Sequence, residues 1–241
     1  MNKIIQETVD QLSSVVLGKD KQIRLAIACL LSDGHLLIED MPGMGKTTLS
    51  QAIAKVFGLS YNRIQFTSDI LPADIIGTPI FDKDKGEFTF HAGPIFSQLI
   101  LADEINRTTP KSQSALLEAM EERQVTVDGE SRALPEPFFV IATQNPSTQA
   151  GTFPLPESQL DRFLMRIELG YPDPASERTL LQGQDRREIL ATLGSTINVL
   201  QLRELQSGSR QVKVSEALLD YVQRLIAATR QSSEFTHGLS P

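Results

Sequence analysis

His35-Leu36-Leu37-Ile38-Glu39-Asp40-Met41-Pro42-Gly43-Met44-Gly45-Lys46-Thr47 is the stretch that decides how this chain folds. The apolar run from His35 to Glu39 reads as a buried strand, and the residues from Lys46 through Ala54 to Phe57 read as a helix. Gly43 and Gly45 let backbone N–H groups turn inward between the two. The start of the helix adds its positive dipole end, and both features favour phosphate oxygens. Lys46 would reach the outer phosphates of a nucleoside triphosphate, and the Thr47 hydroxyl would ligate its magnesium. This is the Gly-Lys-Thr ending of the phosphate-loop pattern in its strand-to-helix setting. Pro42, Met44 and Thr48 belong to the same loop. Asp40 stands where the pattern has its first glycine, which is tolerable if its backbone angle is ordinary and its side chain points away from the phosphates.

Outward from this loop, the chain alternates helices with apolar strands. Ile4, Ile5, Val9 and Leu12 have helical spacing, and a second helix is expected from Asp20 to Leu31. Strands are expected at Arg63–Phe66, Leu99–Ala102, Phe138–Ala142 and Leu164–Leu169, with a helix from Pro110 to Glu122. Thr78 to Phe90 reads as a hairpin with the polar tip Asp82-Lys83-Asp84-Lys85-Gly86, and Asp128-Gly129 marks a second hairpin turn. Such alternation predicts an α/β fold with a central parallel sheet covered on both faces. Tyr171-Pro172-Asp173-Pro174 then punctuates the chain. Beyond it only helical periodicity is visible, clearest in Leu218, Leu219, Val222, Leu225 and Ile226. The expected division is a core over residues 1–171 and a small helical domain over 172–241.

Two other strand ends carry chemistry. Leu99-Ile100-Leu101-Ala102 runs into Asp103-Glu104. There Asp103 would hold magnesium, and Glu104 would orient and deprotonate an attacking water. A third strand closes on Asn145, whose amide either holds that water against the terminal phosphate or simply forms a turn before Pro146. All three positions fall at the carboxyl ends of parallel strands, where such sheets bind ligands.

Composition narrows the functional class. The net charge of −7 lies entirely before Tyr171, where 22 acidic residues face 15 basic ones. An acidic core is a poor footprint for nonspecific DNA binding. No apolar run approaches the roughly 18–20 residues that span a bilayer, so no membrane span is expected. The single cysteine, Cys29, sits in an apolar run, where a buried inert thiol is expected, and it fits a reducing, cytoplasmic setting. His35, His91 and His237 are scattered, with no partner at ligand spacing, so the only metal expected is the nucleotide's magnesium.

The phosphate loop Glu39 to Thr47 resembles that of the MoxR-type AAA+ ATPases. So do Ala102-Asp103-Glu104-Ile105-Asn106-Arg107 and the continuation from Pro110 to Glu122. Ala142-Thr143-Gln144-Asn145-Pro146 is similar to the family's sensor 1. Leu155-Pro156-Glu157-Ser158-Gln159-Leu160-Asp161-Arg162-Phe163 is similar to its arginine-finger segment. The resemblance implies an AAA+ core followed by a helical lid, with ATP and Mg2+ bound and hydrolysed at subunit interfaces of a ring, usually a hexamer. Arg162 would then act on a neighbour's terminal phosphate in trans. Val16, Leu17 and Gly18 would line the adenine pocket, although as a short apolar stretch they could equally be packing. Arg107 matches the family block, with subunit contact and local ion pairing both open as its role. The two hairpins resemble the helix-2 insert and the pre-sensor-1 hairpin, which would face the ring pore. The family's sensor 2 arginine follows a Gly-x-Ser-Pro segment, so it is expected beyond Gly238-Leu239-Ser240-Pro241 and the lid is expected to be incomplete.

Three functions follow from the resemblance. One is remodelling or activation of a partner protein, a von Willebrand factor A-domain client in maturation of a metalloenzyme or complex. Another is a nucleic-acid motor. The third is a regulatory ATP-binding module with little turnover. The hairpins favour the first, because Asp82, Asp84 and Glu87 outnumber Lys83 and Lys85 on one, Asp128 and Glu130 outnumber Arg132 on the other, and neither has an aromatic residue at its apex for base stacking.

Overall fold

The computed structural model describes residues 2–145, 151–183, 186–232, 235, 238 and 239. Two helices open the chain, α1 (Asn2–Val15) and α2 (Asp20–Leu31). They are followed by β1 (Leu36–Glu39), α3 (Lys46–Val56), β2 (Tyr61–Gln65) and the short α4 (Pro72–Ile76). The first hairpin is β3 (Gly77–Asp82) with β4 (Glu87–Ala92). Then come β5 (Leu99–Asp103), a 3-10 turn at Ile105–Arg107, and α5 (Pro110–Glu122). The second hairpin is β6 (Gln124–Val127) with β7 (Glu130–Ala133), followed by β8 (Phe139–Gln144), α6 (Glu157–Leu160) and β9 (Met165–Ile167). The remaining helices are α7 (Pro174–Gln182), α8 (Arg186–Thr192), α9 (Val199–Ser209) and α10 (Glu216–Gln231).

The expected parallel sheet is present as five strands in the order β2-β5-β8-β1-β9. Every neighbouring pair is parallel. Its inner strands are apolar on both faces: all residues of β5 are buried, and so are five of the six in β8. One face packs against α1, α2 and α3 through Leu12, Ile23, Leu49 and Ile53. The other packs against α4 and α5 through Ile75, Leu116 and Met120. A sheet covered on both faces takes its ligands at the strand ends, and in open parallel sheets these are the carboxyl ends. Both hairpins form where the turn chemistry placed them, with Asp128 and Gly129 at positive φ.

By contacts the chain divides into residues 1–206 and 207–241, which differs from the expected division at Pro172. Leu190, Ile197 and Leu202 belong to the same core as α1 and α3. Lys55 donates to the Leu190 carbonyl at 2.9 Å, and Gln206 donates to that of Leu30 at 2.8 Å. Pro172 and Pro174 redirect the chain without ending its core. In the second unit, α10 forms over the expected amphipathic stretch, but Leu218, Leu219, Val222 and Leu225 remain between 43% and 49% exposed.

Candidate active site

Strands in a sheet lie about 4.8 Å apart. With β8 between them, the tips of β1 and β5 are therefore roughly 10 Å apart, and Asn145 leaves β8 in the gap. The loop after β1 is open to a ligand. Gly43 (φ 85°) and Gly45 (φ 88°) are left-handed, and a Cβ on either would meet no atom within 4 Å. Gly45 caps α3 and no side chain accepts from the first turn, so those N–H groups are available to an anion.

Lys46 begins α3 and is buried. Its Nζ donates to the Asp40 carbonyl at 2.7 Å and to Asn145 Oδ1 at 3.4 Å. Burial lowers its pKa, against the raising influence of Asp103, Asp40 and Glu104. An ammonium desolvated in this way gains from any anion that enters beside it.

The acidic pair is held by its neighbours on both sides. Thr143 Oγ1 donates to Asp103 Oδ1 at 2.7 Å and accepts from the Glu104 N–H at 2.8 Å. Glu104 itself is left-handed (φ 58°, ψ 48°), a conformation that costs a non-glycine residue about 1 kcal/mol. That turn brings its carboxylate to Asn145, whose Nδ2 donates to Oε1 at 3.1 Å. Arg107 Nη1 donates to Oε2 at 2.8 Å, and Gln65 Nε2 lies 3.5 Å from the same oxygen. Asn106 braces the arrangement by donating to the Asn145 carbonyl at 2.9 Å.

These groups enclose a cavity of about 350 Å³ lined by Pro42, Gly43, Gly45, Lys46, Thr47, Thr48, Arg63, Asp103, Glu104 and Asn145. A second cavity of about 240 Å³ shares Gly43, Gly45 and Thr48. Its other walls are mostly apolar, from Val15, Val16, Leu17, Met44, Pro172 and Leu180, with Lys19 among them. A polar chamber in which two cations, Lys46 and Arg63, face two carboxylates, Asp103 and Glu104, adjoins an apolar one, an arrangement that matches a metal-bound triphosphate joined to a base. Thr47 and Asp103 line the polar chamber, and a hydroxyl and a carboxylate are the hard oxygen donors that magnesium prefers.

The sequence-predicted residues are largely brought together. Gly18 is not in the lining of the apolar chamber. Its φ is +68°, and a Cβ there would come within 2.6 Å of Ser176 Oγ, so its bare backbone serves the approach of α7. Arg162 lines neither cavity and pairs with Glu121 at 2.8 Å. Pro146 lies outside the described residues, as do His237, Ser240 and Pro241.

Residues 35–165 match the ATPase family associated with various cellular activities (AAA). The chain is 43% identical over its whole length to the protein YeaC of Bacillus subtilis, covering 75% of it. Chaperone MoxR1 of Mycobacterium tuberculosis is 40% identical over 95% of this chain, which spans 60% of that relative. A solved structure from Cytophaga hutchinsonii superposes with a TM-score of 0.84 at 40% identity, over 96% of this chain and 70% of its own. The chain belongs to the MoxR-type AAA ATPases.

In this MoxR-type ATPase the tertiary structure adds four residues that sequence reasoning missed: Arg63, Gln65, Thr143 and the brace Asn106. Thr143 had a usable signal. Pairing Ala102 with Ala142 in the register puts Thr143 beside Asp103. Arg63 and Gln65 had none, because their place depends on which strand lies next to β5. For Arg107 the structure shows the local ion pair with Glu104.

Proposed function

We propose that the chain binds ATP with Mg2+ across the tips of β1, β8 and β5 and hydrolyses it within a ring, to remodel a partner protein. The observation that carries this reading is the relay Lys46–Asn145–Glu104, hydrogen-bonded end to end along one wall of the phosphate-sized cavity. Lys46 and the N–H groups of Gly43 to Thr47 bind the outer phosphates. Asn145 orients the attacking water, and Glu104 takes its proton at Oε1. Thr47 and Asp103 would hold the magnesium, which when bound draws charge off the outer phosphates. Val16, Leu17 and Met44 receive the base in the apolar chamber.

Arg162 acts in trans on a neighbour's nucleotide, a role supported by its lying outside the cavities of its own chain. The first part of the expected lid, residues 172–182, closes the base side of the site, a role supported by Pro172 and Leu180 in the wall of the base chamber. The chaperone role is supported by the name of the Mycobacterium relative. The von Willebrand factor A-domain client and the hexameric ring rest on the family resemblance, and the cytoplasmic setting rests on the single cysteine, Cys29, a free buried thiol. Among the described residues no helix is long and apolar enough to cross a membrane.

A protein client fits the first hairpin. Phe81 and Phe88 pair edge-to-face at 5.3 Å one rung below its tip, and they are 49% and 71% exposed. Steady-state phosphate release tests the reading, measured alone, with a von Willebrand A-domain protein and with single-stranded or duplex DNA. Stimulation by the protein alone is expected. Stimulation by DNA alone would make the hairpins nucleic-acid elements and overturn the proposed client class.

A further inference from the structure

Asp103 shares its place at the phosphate cavity with a cation from its own chain. Arg63, on the edge strand β2, donates to Asp103 Oδ2 from Nε at 3.0 Å and from Nη2 at 2.6 Å. The other carboxylate oxygen is taken by Thr143. Both oxygens of the residue that would face the magnesium are thus engaged, one of them by a guanidinium.

The two partners are not equally free to move. The Asp103 side chain is 10% exposed and is pinned by Thr143, whereas that of Arg63 is 46% exposed. Arg63 Nη2 also donates to Gln65 Oε1 at 2.6 Å, which keeps the guanidinium on the wall of the same cavity as Lys46 and Thr47. Thr143 already holds Asp103 in place and the guanidinium end of the pair is half-exposed, so positioning the carboxylate does not by itself require Arg63. A divalent ion and a guanidinium on one carboxylate oxygen repel each other. A phosphate oxygen in the cavity offers the guanidinium a second anionic partner, for which its planar fork is well shaped.

We propose that Arg63 competes with the divalent cation for Asp103 and releases that carboxylate when the terminal phosphate of a nucleoside triphosphate accepts its guanidinium. Arg63 is then a binding residue of the site that makes metal entry depend on the triphosphate and gives ATP an advantage over ADP. The inference rests on the Mg-ATP reading of the cavity.

Two measurements on the full chain test it without relying on turnover. The first is Mn2+ binding without nucleotide, followed by electron paramagnetic resonance. The second is calorimetric affinity for ATP and for ADP in the presence of Mg2+. Relative to the wild type, Arg63→Gln should bind Mn2+ about tenfold more tightly and lose about tenfold in ATP affinity with little change for ADP, the scale of one charge-assisted hydrogen bond. Arg63→Lys keeps the charge and loses the fork, so it should restore weak Mn2+ binding but not the full preference for ATP.

Unchanged Mn2+ affinity in Arg63→Gln, or equal losses for ATP and ADP, would overturn the proposal and leave the pair a structural contact. A wild-type chain that binds neither nucleotide would instead sink the reading of the cavity itself, so the two failures are distinguishable.

Discussion

Glu104 is where a single side chain carries the most chemistry. Its carboxylate is aimed by a left-handed backbone and by hydrogen bonds from Asn145 and Arg107. Removing the charge while keeping the shape should spare binding and stop proton transfer. Glu104→Gln is expected to retain ATP while turnover falls about 10²- to 10⁴-fold, measured by single-turnover phosphate release beside nucleotide retention on a filter. Wild-type turnover in that variant would remove Glu104 as the base. His35 shows a different residue-scale effect. Its Nδ1 accepts from the Val140 N–H at 3.1 Å and its Nε2 faces the Met120 carbonyl at 3.4 Å. Burial, reinforced by Arg123, pushes its pKa from 6.5 down to about 3. A folded pKa below the unfolded one means this contribution is complete above pH 6.5 and is lost as the pH falls toward 3. Between pH 7.5 and 5.5 it should cost about 1.4 kcal/mol. Urea midpoints at the two pH values should show that loss, and His35→Gln should flatten it.

Asp40 matters at the scale of elements, because it ties the phosphate loop to the exit of β9. Its backbone is not left-handed, Oδ1 accepts from the Met41 N–H at 2.8 Å, and Oδ2 accepts from the Gly170 N–H at 2.5 Å. The side chain therefore points along the β1–β9 side and not into the phosphates, as the sequence pattern required of a residue at a glycine position. Lys19 adds a second tie by donating to the Tyr171 carbonyl at 2.6 Å. Loop and linker are thus clamped together next to the base chamber. Asp40→Gly should keep nucleotide affinity while the Gly170 amide exchanges with solvent about tenfold faster, the worth of one hydrogen bond to a charged group. Peptide-level hydrogen exchange over residues 168–173 measures this, and unchanged protection would show that the clamp does not depend on Asp40. Helix and strand positions were legible at this scale because each element has its own periodicity and turn residues. The extent of α7 to α9 as part of the first unit was not, since packing of Leu190, Ile197 and Leu202 on α1 and α3 leaves no mark in local pattern.

For the whole molecule the question is whether one chain is a complete catalyst. Arg162 pairs with Glu121 on its own chain and lines neither chamber. If sites are shared, mixing Arg162→Ala with Glu104→Gln chains should yield hydrolysis above either alone, since some interfaces then pair an intact base with an intact arginine. A titration of mixed subunits by phosphate release reads this. No activity above the separate variants would count against action in trans.

The phosphate loop and the acidic pair were legible in the sequence alone, because each is a contiguous run whose residue types point to one chemistry, whereas Asn145 at the third strand end stayed open between a water-holding amide and a turn residue. Their convergence was decided only by the sheet order β5-β8-β1, which inserts Asn145 between Lys46 and Glu104. The same order and the β2–β5 pairing set Arg63 against Asp103, 40 residues away, and the β1–β9 pairing set Asp40 against Gly170, 130 residues away. Contacts at such separations depend on which strands become neighbours, and that is settled by how apolar faces are buried across the whole chain and not by any local run of residues.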